Sequence, residues 1–135
     1  MTAPKDMIAA ARKVRRQTWV PYSKFKVGAA LRTPDGRIFA GCNVENAAYP
    51  QSSCAEASAI SCMVSAGARR IAEVVVVGGG TGPCTPCGGC RQRLAEFAAP
   101  GTKVHMVSPA GRVLLSTTLA ALLPHAFGPI NLRRG

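Results

Sequence analysis

The sequence predicts an α/β protein built on a mixed five-stranded sheet with helices on both faces, and three observations predict it. Five short strand-like segments alternate with helical patterns in the order α-β-β-α-β-α-β-β-α, and strands separated by helices bury their apolar sides as a layered sheet. Val74 to Val77 form an unbroken β-branched run within Glu73–Val77, the pattern of a central strand covered on both faces. The chain has 135 residues, 47% hydrophobic and 17% charged, which suits one folded domain spanning residues 1–135 and excludes a disordered chain. No internal repeat and no domain boundary interrupts it.

Each element has a local reason. From about Pro4 to Gln17, Met7, Ile8, Ala11 and Val14 mark one face of a first helix, with Lys and Arg on the other. Pro21 ends any helix before it. Phe25 to Leu31 alternates as a strand. Thr33-Pro34-Asp35-Gly36 is a turn in which Pro sets φ and Gly supplies the unusual dihedral, and Ile38 to Asn43 returns as the second arm of a hairpin. Val44 to Ser53 is a polar loop. A second helix runs from Ser53-Cys54 to about Ala66, with Gly67 as its stop. After the central strand, the glycine-rich loop Gly78–Gly82 leads to a third helix from about Gly88 to Ala98. Lys103–Val107 and Arg112–Leu115 flank a turn at Ser108–Gly111. Thr117–Leu122 is a short fourth helix, and Pro124 begins an irregular tail holding Phe127.

The net charge is +11, from 17 Lys+Arg against 6 Asp+Glu. A nucleic-acid surface is one reading of such a charge. The basic residues are scattered, however: Lys13, Arg15 and Arg16, then Lys24 and Lys26, then Arg69 and Arg70, then Arg133 and Arg134. Aromatic residues that could stack on bases make up 5% of the chain. A solvated basic face is therefore the expectation, with no nucleic-acid partner. No run reaches the ~20 apolar residues of a membrane span. No apolar h-region opens the chain, so a cytoplasmic location is expected, and the six cysteines point to metal binding or catalysis rather than to disulfides.

Two short pieces carry the chemistry: Cys54-Ala55-Glu56 and Pro86-Cys87-Gly88-Gly89-Cys90. Three cysteines offer three thiolates to one zinc, which leaves a fourth position for water, the arrangement of catalytic rather than structural sites. Glu56 is then placed to move a proton. Both pieces open helices, whose N-terminal N–H groups and partial positive charge favour thiolates. Residues two apart do not share a helix face, so Cys54 and Glu56 converge only if Cys54 sits at the cap. Taken alone, Cys87 and Cys90 could also be a redox pair or half of a zinc ribbon. A ribbon lacks its second close pair here, and a redox pair leaves Cys54 and Glu56 unexplained. Cys84 could compete as a ligand, although a two-residue spacing favours Cys87 with Cys90. Cys42 and Cys62 read as small buried hydrophobes, and His105 and His125 as ordinary strand and tail residues.

The sequence resembles the small homotetrameric cytidine deaminases almost end to end. The segments that carry the resemblance are Pro21–Leu31, Asn43–Pro50, Cys54–Glu56, Pro86–Gln92 and Leu122–Pro129, all in order. The resemblance implies the three-layer α/β/α cytidine deaminase-like fold and one zinc per subunit, held by Cys54, Cys87 and Cys90. It implies Glu56 as the proton shuttle for hydrolytic deamination of cytidine and 2′-deoxycytidine to uridine and 2′-deoxyuridine in pyrimidine salvage, with attack at C4 and release of ammonia. Asn43 and Glu45 would bond the ribose hydroxyls, Phe25 would pack on the base, and the backbone of Ala55 would contact the pyrimidine. Loop capping is the structural alternative for Asn43 and Glu45. Ala47, Tyr49 and Phe127 would reach a neighbouring subunit's site in a homotetramer.

The rival readings are a deaminase of a related aminated base or nucleoside such as blasticidin S, a polynucleotide cytosine deaminase, and a non-enzymatic zinc module. One departure from the family's pattern stands out. Many members carry an Arg after the catalytic Glu, bonded to the ligand thiolates, where this chain has Ala57. Zinc with three thiolates is left with a net −1 charge, so the helix ends, Arg91 or another donor must offset it.

Overall fold

Residues 3–133 are described by a computed structural model of the chain; Arg134, at the end of the basic tail, lies outside the described residues. The elements are α1 (Lys5–Arg15), β1 (Gly28–Arg32), β2 (Ile38–Cys42), α2 (Ala55–Ser65), β3 (Ile71–Val77), α3 (Gly88–Phe97), β4 (Ala98–Val107), β5 (Val113–Thr118), α4 (Leu119–Leu122) and α5 (Pro129–Leu132), with a short 3₁₀ turn at Tyr49–Gln51. The five strands form one sheet in the order β2-β1-β3-β4-β5. Its β3–β4 pair is parallel, and β1–β2, β1–β3 and β4–β5 are antiparallel.

Period-2 alternation decides what each strand buries. Ala29 and Leu31 of β1, Val74 and Val76 of β3, and Val104 and Met106 of β4 face a core shared with Ala59, Met63, Leu94 and Leu119 of α2, α3 and α4. Ala30, Val75, Val77 and Val107 face the other way, onto Met7 and Ala11 of α1. Helices therefore cover both sheet faces. Val74 to Val77 are fully buried, because β3 is paired on both edges and packed on both sides.

Two glycines permit the layers to approach this closely. A Cβ at Gly28 of β1 would stand 2.2 Å from the Ala11 carbonyl oxygen of α1, and one at Gly41 of β2 would stand 2.3 Å from the Ala59 nitrogen of α2. The hairpin turn closes with Gly36 N–H donating to Thr33 O at 2.9 Å, with Gly36 at φ +91°.

The differences from the sequence reading have identifiable causes. β4 starts at Ala98 rather than Lys103, because Ala98 pairs with Ile71. Pro100 is tolerated there because pairing with β5 begins only at Lys103. β5 extends to Thr118, whose hydroxyl accepts from Ala121 N–H and caps α4. β1 starts at Gly28 rather than Phe25, because Asn43 occupies the backbone groups of Phe25 and Val27 that a ladder would use. The tail contains a helix, α5, that its sequence did not announce. Cys62 is exposed on α2, contrary to its reading as a buried hydrophobe, and Cys42 is half-buried.

Candidate active site and metal centre

The site forms where the N-termini of α2 and α3 converge. Cys54 is the N-cap of α2 and Cys87 the N-cap of α3, both with extended backbone at ψ 156° and 166°. Each carbonyl already accepts the first helical bond, from Ser58 N–H at 3.0 Å and Arg91 N–H at 2.9 Å, which is what an N-cap position requires. The cap geometry turns both Sγ atoms toward the gap between the helix ends, and Cys90, fully buried, joins them from the first turn of α3.

The sulfurs of Cys54, Cys87 and Cys90 lie within 4.8 Å of one another, with Cys54 and Cys87 at 3.9 Å. Tetrahedral zinc with bonds near 2.3 Å separates its sulfurs by about 3.8 Å, so the triangle fits the ion, and three thiolates are a donor set of the right softness. Cys84 stands outside the triangle. It lines the same cleft, with its thiol close-packed over Gly78, where a Cβ would be 2.6 Å from the sulfur.

Burial pushes the thiols of Cys54 and Cys90 above the ordinary cysteine range, while the Cys90 backbone N–H draws the Cys87 thiol below it. An ion that replaces their protons removes the cost of leaving three sulfurs together in a half-dry cleft. Glu56 is 4% exposed. Burial holds its carboxyl above the usual carboxylate range.

The cleft has a volume of about 250 Å³ and brings together Phe25, Val27, Asn43, Cys54, Ala55, Glu56, Cys84, Thr85 and Cys87. Its second wall is the segment before β1. Asn43 Oδ1 accepts from Val27 N–H at 2.9 Å, and its Nδ2 donates to Phe25 O at 2.7 Å. Glu45 Oε1 accepts from the N–H groups of Tyr22 and Ser23 at 3.0 and 3.1 Å, and these bonds, with the Ser23 hydroxyl first, hold its carboxyl below the usual range. Both side chains thus perform the loop-capping role. Each also keeps capacity for a ligand, because an amide and a carboxylate offer more lone pairs and protons than these bonds consume.

Glu45, Ala47, Tyr49 and Phe127 do not line this cleft. Ala47 and Tyr49 are exposed, and Tyr49 sits in an adjoining groove with Tyr22, Ser23, Glu45 and Ser52. Tyr22 and Tyr49 meet edge to face, with centroids 5.7 Å apart. Phe127, 56% exposed, lies in a third groove with His125 against α4.

Arg91 proves to be a loop clamp. Its Nε donates to Pro86 O at 2.7 Å and its Nη1 to Leu122 O at 2.8 Å, tying the metal loop to α4 and leaving the thiolates alone. The cation that reaches a ligand sulfur is Arg93, whose Nη1 is 3.8 Å from Cys90 Sγ. The sequence reading passed over it, although its i+3 spacing from Cys90 on a helix is the signal that places the two together. His105 is buried in β4 between Glu73 Oε2 at 2.6 Å and Ser116 Oγ at 2.7 Å.

Comparison with known proteins agrees with this geometry. Residues 1–106 match the family described as the cytidine and deoxycytidylate deaminase zinc-binding region. A cytidine deaminase of Sporosarcina psychrophila is 46% identical over 128 residues, covering 95% of this chain and 93% of its own length. One from Halalkalibacterium halodurans is 40% identical over 121 residues, covering 90% and 91%. The crystal structure of cytidine deaminase from Burkholderia pseudomallei superposes with a TM-score of 0.86 at 44% identity, covering 93% of this chain and all of that one. With a sulfur triangle sized for zinc and a buried glutamate in one cleft, the chain belongs to the family of zinc-binding cytidine and deoxycytidylate deaminases.

Proposed function

We propose that this chain hydrolyses the exocyclic amine of cytidine and 2′-deoxycytidine, consuming water and giving uridine or 2′-deoxyuridine and ammonia, as one catalytic domain of 135 residues working in cytoplasmic pyrimidine salvage. The observation that carries the reading is Glu56, buried in the same cleft as the three-sulfur cluster.

Cys54, Cys87 and Cys90 would hold the zinc, which would supply the Lewis acidity that makes water nucleophilic near neutral pH. Glu56 performs the proton transfers. It accepts a proton from the attacking water and delivers it to N3 of the ring as C4 becomes tetrahedral, then takes the remaining proton of the new C4 hydroxyl and passes it to the amine, which leaves as ammonia as the C4 carbonyl forms. Its raised pKa keeps both directions within reach. Phe25 packs on the pyrimidine and the backbone of Ala55 contacts it. The remaining lone pairs and protons of Asn43 and Glu45 bond the ribose hydroxyls, and a site built to bond a hydroxyl discriminates strongly against bases that lack the sugar. The exposed Ala47, Tyr49 and Phe127 complete a neighbouring copy's site in a homotetramer.

The test is the ultraviolet change on mixing protein with cytidine, 2′-deoxycytidine, free cytosine and blasticidin S, before and after zinc removal. Zinc-dependent conversion of both nucleosides, with cytosine untouched, is the expected result. Conversion of blasticidin S alone would replace this reading with that of a related aminated-nucleoside deaminase. Salt-dependent binding of single-stranded nucleic acid, with deamination within the strand, would replace it with the polynucleotide reading.

A further inference from the structure

We infer that Arg93 is the positioning residue that balances the charge of the metal centre. The inference rests on the zinc site described above. Zinc with three thiolates carries a net −1 charge, set in a cleft where Cys90 is fully buried. Such a centre holds its ion less tightly and acidifies water less than a neutral one, unless a cation bonds the sulfur.

Among the described residues, Arg93 supplies that cation. Its Nη1 points at Cys90 Sγ across 3.8 Å, within the range of a hydrogen bond to sulfur. The placement follows from helix geometry: Cys90 and Arg93 are three apart on α3 and so share a face.

A second observation concerns the space it occupies. A Cβ at Gly89 would stand 3.2 Å from Arg93 Nη1, so the glycine between the two α3 cysteines leaves room for the guanidinium over the first turn. The other arginine of this turn is committed elsewhere, to the carbonyls of Pro86 and Leu122. In the thiol form the sulfurs are neutral and gain little from Arg93, whereas with the ion bound they are charged. Arg93 thus favours the loaded protein selectively. Its side chain is largely exposed, so water screens part of the effect.

The experiment is zinc titration of the purified full-length protein against a chelator of known affinity, with circular dichroism as the check on folding and cytidine turnover as a second readout. The wild-type titration tests the zinc site itself: a chain that binds no zinc overturns the site reading, independently of Arg93. Given binding, Arg93→Gln is expected to weaken zinc affinity about 10-fold, the low end for a group bonded to a metal ligand, and to lower kcat while leaving KM within about 2-fold. Arg93→Lys keeps the charge and is expected to recover more than half of the logarithmic loss. Wild-type zinc affinity in folded Arg93→Gln overturns the inference, as does an Arg93→Lys protein no better than Arg93→Gln. Should Arg93→Gln fail to fold, Arg93→Met keeps an unbranched stem without the charge, and wild-type zinc affinity in that folded variant overturns the inference equally.

Discussion

At the scale of single residues, Glu56 holds a carboxyl where water would ordinarily have to follow it, and that position has a measurable cost and use. Replacing it with Gln keeps shape and volume and removes the charge whose burial is unfavourable. Glu56→Gln is therefore expected to fold, to bind zinc with the same three sulfurs, and to lose deamination by about 10²- to 10⁴-fold, the range of general acid–base catalysis. Zinc content by absorption spectroscopy beside a turnover assay reads both; retained turnover would remove Glu56 from the reaction. Asn43 divides its amide between two backbone groups and the cleft. Asn43→Ala should cost about 1–3 kcal/mol of stability from the partners left unmade and also raise KM for nucleosides. A variant that loses stability while keeping wild-type KM would reduce Asn43 to a loop cap. The cysteines were legible as ligands because their spacing and cap placement are local properties. Arg93 was passed over because its importance depends on which sulfur the next turn faces.

At the scale of elements, the site depends on two helix ends being brought to one point, and close packing accomplishes it. Gly41 lets β2 lie against α2, whose N-terminus carries Cys54 and Glu56. Gly41→Ala places a methyl 2.3 Å from the Ala59 nitrogen and should destabilise by about 1–3 kcal/mol through overpacking, with zinc affinity falling as α2 shifts. Urea unfolding of the zinc-loaded protein measures it, and an unchanged midpoint would show that the layer gap is softer than this packing implies. Arg91 fastens the other end by bonding the loop before α3 to α4. The hairpin, the central strand and both site helices were readable from periodicity, glycines and caps. The early start of β4 was not, because Pro100 and Gly101 argue locally for a loop and only pairing with Ile71 overrides them. The extension of β1 back to Phe25 failed for the opposite reason, since the Asn43 side chain captured the backbone groups.

At the scale of the whole molecule, charge and assembly remain to be measured. Asp6 bonds Arg32 at 2.6 Å, and this bond holds the Asp6 carboxyl below its ordinary value of 3.8. A lowered carboxylate pKa contributes stability that is present above the ordinary value and lost as pH falls through the lowered one. Asp6→Asn should therefore lower Tm relative to wild type at pH 7, with the difference closing in strong acid; a gap of equal size at both would assign the loss to packing instead. The exposed Tyr49 and Phe127 place large apolar area on the surface. Sedimentation is expected to show a tetramer, and mixing Glu56→Gln with Phe127→Ala subunits should restore activity if sites are completed across copies. The sequence by itself determined the three-cysteine cluster, the alternation of strands and helices and the two-sided burial of the central strand, because spacing, caps and hydrophobic period are written within a few residues of one another. The tertiary structure alone decided that Arg91 clamps a loop while Arg93 reaches the sulfur, that Asn43 caps the wall of the cleft and that Glu45 caps the loop beside it. Those outcomes turn on which groups meet across elements far apart in the chain, where van der Waals contact and hydrogen-bond competition choose among partners that local sequence leaves equivalent.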